Sequence, residues 1–385
     1  MRLGHIGFLL VLRLGCFLWV TGAVAQDQTS FDAVDLSATV PVDKLASQLA
    51  TKRVVFVGEI HDRYDHHLNQ LEIIRRLREL DPNIAIGVEY FQQPFQAQVD
   101  DYIAGRTPEN EFLRATEYYQ HWGYDYRLYA PIFRYAREQR IPVRALNVPT
   151  ALASAVAKVG ISGLSEKQRA DLPREIEPAD EAYKSRLRKA FEAHPGLKPG
   201  DFDHFVEAQR VWDEGMAESA AGYLNANGGL RLVILAGAEH LAFGSGIPKS
   251  IERRTKATYS IVLSSGEDEE IEPHIADYLL LSKKQELSPA GILGINLEEK
   301  ADECRIDSLK PGGAGEKAGL RKGDALVTID GQTIKTIPDV HLALWDKRPG
   351  DRVHVNVRRK HRFRAATGPD FEVELAATPK SAGKP

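Results

Sequence analysis

At 385 residues the chain is too long for one typical hydrophobic core, so two domains are expected. Apolar residues make up 43% and charged residues 27%, an ordinary globular profile. The net charge of −4 lacks the basic excess of a general nucleic-acid binder, which argues against nucleic acid as a partner.

The first residues read as a leader. Met1 to His5 forms a short basic region, Ile6 to Val20 is mostly apolar, and Ala23-Val24-Ala25 is an A-x-A cleavage signal before Gln26. Residues 1–25 are therefore expected to be a signal peptide, cleaved after Ala25. Arg13 interrupts the apolar run, which argues against a lasting membrane span and spoils a lipidation motif at Cys16. This predicts an exported protein, periplasmic or associated with the cell envelope, and leaves membrane association open. Cleavage would leave Cys304 as the only thiol, so no internal disulfide can form.

Five apolar runs alternate with helical patterns. Arg53–Glu59 is a buried-strand candidate, followed by an amphipathic helix with Leu68, Leu71, Ile74 and Leu77 on one face and Asp81-Pro82-Asn83 as its stop. Further strands are expected at Ile84–Tyr90, Pro142–Pro149, Leu230–His240 and Tyr259–Ser265. Such alternation predicts an α/β fold, a mainly parallel sheet with flanking helices, over residues 40–280. Ala151 to Asn227 reads as a helical insertion, in which Gln209, Asp213 and Met216 share a face. Tyr118 to Tyr135 holds six of the 13 tyrosines and Trp122, which suits either an aromatic pocket or plain core packing.

Each strand candidate but the last runs into polar residues at its carboxyl end: Gly58-Glu59 with His61, then Glu89, Asn147, and Gly237 to His240. Ligands of open α/β sheets bind outside those ends. Gly58 is expected to permit a turn and a close backbone approach. Glu59 and His61 alternate, so both face one way in an extended chain. Gly-x-x-His occurs twice, at Gly58 and at Gly237, again after a strand. Glu59, His61, Glu89 and His240 thus form a candidate site, in which a carboxylate beside an imidazole can bind a divalent metal ion or fix the histidine tautomer. Asp62 and Asp65 read as helix N-terminal residues, and His66 and His67 as solvated helix positions. HExxH, CxxC, a Walker loop and a GxSxG elbow are all missing from the sequence, and the last absence disfavours a serine hydrolase.

Five ordered blocks, "VVFVGEIHDRYDHHLNQLEII", "IGVEYFQQPFQAQVDDYIAG", "IPVRALNVP", "EAQRVWDEGMA" and "VILAGAEHLAFGSGIP", resemble the ChaN-like haem-binding family. This family sits in the haem-binding uptake and Tiki superfamily, beside TraB proteins and erythromycin esterases. The resemblance covers about Leu45 to Leu263. It implies an α/β fold, a polar cleft carrying Glu59, His61, Glu89 and His240, and haem or an iron ligand as the partner. No motif singles out a haem-iron ligand. Through Tiki relatives the resemblance also implies an alternative: a metal-dependent hydrolase, plausibly a peptidase, in which the same four residues are catalytic.

After Leu281–Gly291, a polar and proline-containing stretch, the chain turns β-rich. "AGLRKGDALVTIDGQ" and its surroundings resemble a PDZ domain over residues 288–378. Ile292, Leu293, Gly294 and Ile295 match its carboxylate-binding loop, and Val340 and Leu344 an apolar pocket wall. The implied partner is a protein C-terminal tail added to a strand edge. A scaffold with no small ligand is the third reading. The basic run Arg358–Arg364 reads as a solvated hairpin, and 379–385 as a disordered tail.

Overall fold

The computed structural model describes residues 39–192, 199–265, 272–300, 303–359 and 368–379. The leader 1–25 with Cys16, residues 360–364 of the basic run and 380–385 of the tail lie outside them.

The first half is built on β1 (Val54–Glu59), β2 (Ile84–Gln92), β3 (Val143–Asn147), β4 (Arg231–Gly237), β5 (Tyr259–Ser265) and β6 (Tyr278–Leu281). They pair in the order β3-β2-β4-β1-β5-β6, and every pairing is parallel. The expected mainly parallel sheet is therefore correct. β6 escapes the sequence reading because it is four residues long and lies at the edge with no fully buried side chain.

Helices cover both faces, as parallel sheets require. Before the insertion come α1 (Val42–Leu49), α2 (Tyr64–Leu80), α3 (Gln96–Ile103), α4 (Glu109–Ala115), α5 (Tyr118–His121) and α6 (Ala130–Glu138). The insertion supplies α7 (Thr150–Val159), α8 (Glu166–Ala170), α9 (Glu181–Glu192) and α10 (Phe202–Ala226), and α11 (Ile247–Thr255) follows β4. Period-two alternation in β1 divides the core. Val55 and Val57 pack with Leu71, Ile74 and Leu77 of α2, whereas Val54 and Phe56 pack with Met216, Ala220 and Leu224 of α10 and Ile251 of α11.

Two local expectations change. Gly58 makes no turn: it continues β1, opposite Ala236 of β4 and Leu263 of β5. Its missing side chain serves close packing, because a Cβ there would collide with Leu263 Cδ2 and press on Leu241. α2 begins four residues before Leu68, so His66 and His67 lie in its first turns, and both are fully buried rather than solvated. Asp65 does stand in the first turn, where Arg63 pairs with it at 2.8 Å.

The second half contains β7 (Gly291–Ile292), β8 (Ile295–Lys300), β9 (Glu303–Leu309), α12 (Ala314–Ala318), β10 (Ala325–Ile329), β11 (Gln332–Thr333), α13 (Ile337–Leu344), β12 (Arg352–Arg358), β13 (Asp370–Glu374) and β14 (Ala376–Ala377). The antiparallel order β13-β12-β10-β9-β8 leaves β8 at an edge beside α13. Cys304 is buried there as a free thiol. Arg359, the second residue of the basic run, is not solvated decoration: its guanidinium holds the buried Asp324 carboxylate through two hydrogen bonds of 2.7 and 2.6 Å. The two halves share apolar packing, since Leu342 and Trp345 around the end of α13 join the cluster formed by Phe112, Tyr126 and Phe133. Among the described residues no helix is long and apolar enough to cross a membrane.

Gly58→Ala is expected to destabilise the protein by about 1–3 kcal/mol through overpacking, read as a lower midpoint in urea unfolding with an unchanged slope.

Candidate functional site

The parallel sheet aligns the carboxyl ends of β1, β2 and β4. Glu59 lies directly opposite Gly237, and β2 pairs along the other edge of β4. This juxtaposition brings together all four residues singled out in the sequence. Glu59 and Glu89 are buried, while the side chains of His61 and His240 are 25% and 12% exposed.

Each carboxylate is held by an imidazole. His61 Nδ1 donates to Glu59 Oε1 at 2.7 Å. His240 Nε2 lies 3.5 Å from Glu89 Oε1, and the Gly237 N–H donates to Glu89 Oε2 at 2.7 Å. Gly237 has a second role, since a Cβ there would sit 2.8 Å from His61 Cε1. The two Gly-x-x-His motifs therefore interlock: the glycine of the second makes room for the histidine of the first.

His240 has a further partner that the sequence did not assign. Its Nδ1 donates to Asp213 Oδ1 at 2.6 Å, and Tyr183 OH donates to Asp213 Oδ2 at 2.5 Å. Asp213 is fully buried on α10. The signal for it was present, since it belongs to "EAQRVWDEGMA" and faces with Gln209 and Met216, but helix periodicity cannot say which strand end a helix crosses. Next to it, buried Glu214 accepts from Arg210 of α10 and from Arg253 and Arg254 of α11. That cluster clamps α10 to α11 and thereby fixes where Asp213 stands.

The first turns of α2 form the floor. His66 Nδ1 accepts the Ile60 N–H at 3.1 Å. His67 Nδ1 lies 3.0 Å from Gln70 Oε1, and Gln70 Nε2 donates to the Val57 carbonyl. Tyr129 OH donates to the His61 carbonyl at 3.1 Å and accepts from Trp122 Nε1. Both the backbone and the ring of His61 are thus held. The tyrosine-rich segment divides by position: Tyr118, Tyr126 and Tyr129 are core residues, whereas Tyr124 is 37% exposed. The rings of Trp122 and Tyr124 each lie 4.9 Å from the His61 ring.

Burial opposes charge on both site histidines, but neighbouring carboxylates prevail. For His61 the Glu59 hydrogen bond and the charges of Glu89 and Glu59 raise the pKa. For His240 the Glu89 charge and the Asp213 hydrogen bond raise it well above the usual value. Burial would raise Glu89, yet His240, His61 and the Gly237 N–H bring it down to about 2. In contrast, burial lowers His66 to about 4 against the pull of Asp65.

This pairing bears on metal binding. Among the described residues no group of three or more His, Cys, Asp or Glu side chains is placed to hold a metal ion. One site atom does stay open: His61 Nε2 makes no hydrogen bond to a described residue. Glu59 Oε2 is buried without a hydrogen-bond partner.

A family model described as haem-binding uptake, Tiki superfamily, ChaN matches residues 45–251, and a PDZ domain model matches residues 291–367. Among curated relatives, RETICULATA-RELATED 5, chloroplastic, of Arabidopsis thaliana is 28% identical over 261 residues, covering 61% of this chain. The chain spans only 35% of the length of that relative. Among solved structures, ChaN of Campylobacter jejuni with cofacially bound haem has a TM-score of 0.51 at 18% identity, covering 62% of this chain and 91% of its own. That likeness establishes the shared fold. A mutant of the erythromycin esterase EreC in its open conformation covers 86% of this chain and 91% of its own, with a TM-score of 0.37 at 12% identity.

The depressed Glu89 carboxyl makes an acid-limb prediction. Its stabilising contribution is fully present above its ordinary value of 4.5 and is lost as the pH falls through about 2. The unfolding free-energy difference between wild type and Glu89→Gln is to be followed from about pH 4.5 downward, below the range where loss of the Glu89 charge also shifts the His61 and His240 titrations. Between there and pH 2 wild type should lose ground by on the order of 3 kcal/mol, measured by urea titration at each pH.

Proposed function

Because this chain belongs to the haem-binding uptake, Tiki superfamily, ChaN family, we propose that its α/β domain binds haem through the His61 face and that its PDZ domain recruits protein C-termini. The single observation that carries the haem reading is the state of His61. Its Nδ1 is tied to Glu59, its Nε2 is open, and two aromatic rings stand beside it. A carboxylate on the far nitrogen orients a histidine and increases its basicity toward iron. Exposed Tyr124 and Ile60, at 37% and 40%, offer apolar surface next to it. These residues fit haem: His61 would ligate the iron, and Trp122, Tyr124 and Ile60 would contact the macrocycle. When bound, haem would supply an iron centre for uptake or transfer. The chain's own residues orient the imidazole, and Glu89 and His240 close the cleft behind it.

The metal-dependent hydrolase reading uses the same four residues as ligands. Haem is preferred to it because the matched family model is described as haem-binding. The A-x-A leader supports an exported protein acting in the periplasm or cell envelope.

For the PDZ domain, a groove of about 500 Å³ runs between β8 and α13. All six residues expected from the sequence, Ile292, Leu293, Gly294, Ile295, Val340 and Leu344, line it. Gly294 takes φ +68°, and the Leu293 and Gly294 N–H groups have no acceptor among the described residues. Paired open donors at the end of an edge strand suit a peptide carboxylate.

Hemin titrated into the full chain should give a saturable Soret shift, and His61→Ala should weaken it at least about tenfold, in line with the loss of an oriented ligand. A wild-type titration that never saturates would remove the haem reading. Separately, a peptide with a free C-terminal carboxylate should bind at the groove, and its amidated twin should bind at least about tenfold more weakly, as calorimetry would show.

A further inference from the structure

The peptide groove is not made by the PDZ fold alone. Tyr119, Gly123 and Asp125, which precede α6 in the α/β half, line it together with His341 and Trp345. The Tyr119 ring lies 5.6 Å from that of His341 on α13. The same short segment touches the other site. Trp122 is extended (φ −130°, ψ 111°), and along the next residues successive positions face opposite ways. Trp122 and Tyr124 turn toward His61, while Gly123 and Asp125 turn toward the groove. One stretch of chain is therefore the wall between two binding sites.

That wall is lightly held by its backbone. The Trp122 N–H donates to the Tyr118 carbonyl, and the next backbone-to-backbone hydrogen bond along the chain is Leu128 N–H to the Asp125 carbonyl. Between them the Gly123 and Tyr124 N–H groups have no acceptor among the described residues. Side chains hold the rest: Tyr118 OH donates to the Tyr124 carbonyl at 3.2 Å, and Trp122 Nε1 donates to Tyr129. A segment of this kind gains order when either face is occupied, and the second ligand then meets a wall already ordered.

We infer that the Tyr119–Asp125 segment forms a third wall of the peptide groove and links it to the His61 site, so that a protein C-terminus and the His61 ligand bind with positive cooperativity. The occupant of the groove is an extended peptide with a free carboxylate, for the Leu293 and Gly294 donors and Lys310, and an apolar last side chain, for Val340 and Leu344. Linkage is reciprocal, so each ligand raises the affinity of the other by one factor. This inference rests on the haem and PDZ readings above, and its test separates them.

The test uses the full chain, hemin, and a decapeptide ending in Ala-Val-Leu with a free carboxylate. Calorimetric titration of the peptide into hemin-loaded protein should give a dissociation constant at least about fivefold lower than in haem-free protein, and the peptide should tighten the hemin titration equally. Tyr119→Ala and, where a Cβ meets open space, Gly123→Phe should each weaken the peptide at least about tenfold and remove the tightening of peptide binding by hemin. Should hemin not bind, the haem reading fails by itself, and NMR still decides the linkage: peptide addition to haem-free protein should move the His61 imidazole signals. Equal peptide affinity with and without hemin, unmoved His61 signals, unaffected peptide binding in both variants, or no binding of the peptide at all would each overturn the inference.

Discussion

Two carboxylates carried into the interior by the ends of parallel strands set the terms for everything around them. Glu59 and Glu89 are almost completely buried, and an unpaired buried charge costs several kcal/mol. The surrounding chemistry answers that cost. His61 faces Glu59, His240 faces Glu89, and the Gly237 N–H supplies a further donor. Burial works against the imidazolium forms, yet the carboxylates hold both histidines toward them.

The rest of the α/β half can be read as support for those pairs. α10 crosses the sheet where Asp213 meets His240, and the Glu214 cluster with Arg210, Arg253 and Arg254 prevents that crossing from sliding. α2 brings His67 and Gln70 beneath the strand end, and Tyr129 ties down the His61 carbonyl. Such a set of fixed groups holds one imidazole in a single orientation, with its Nδ1 tied to a carboxylate.

The PDZ half is less an appendage than its sequence boundary suggests. The polar linker is tied to α2 by hydrogen bonds of Asn69 and Asp65 with Ser282, and Arg127 donates to the Ser288 carbonyl. Trp345 packs on Tyr126, with Arg134 over its ring. Shared packing of this kind gives the peptide groove a neighbour it would lack as an isolated module.

Much of this was legible in the sequence. Five of the six parallel strands, the helical insertion, both Gly-x-x-His motifs, the four paired site residues and the six groove residues follow from hydrophobic runs, strand-end position and family resemblance. What periodicity could not supply was depth and direction. His66 and His67 look solvated in sequence because polar residues at a helix start usually are, but the sheet edge above α2 buries them. Asp213 and Tyr183 are remote from any strand end along the chain, so their part in the site depends on how α9 and α10 lie across the sheet. Gly58 is a glycine for the sake of Leu263, a residue more than two hundred positions away. Five of the six parallel strands and the polar groups that end them can be read along the chain, because alternation and turn chemistry are local. Which of those groups pair, which nitrogen stays open, and that one segment borders two sites depend on distances between remote parts of the chain, which no local pattern encodes.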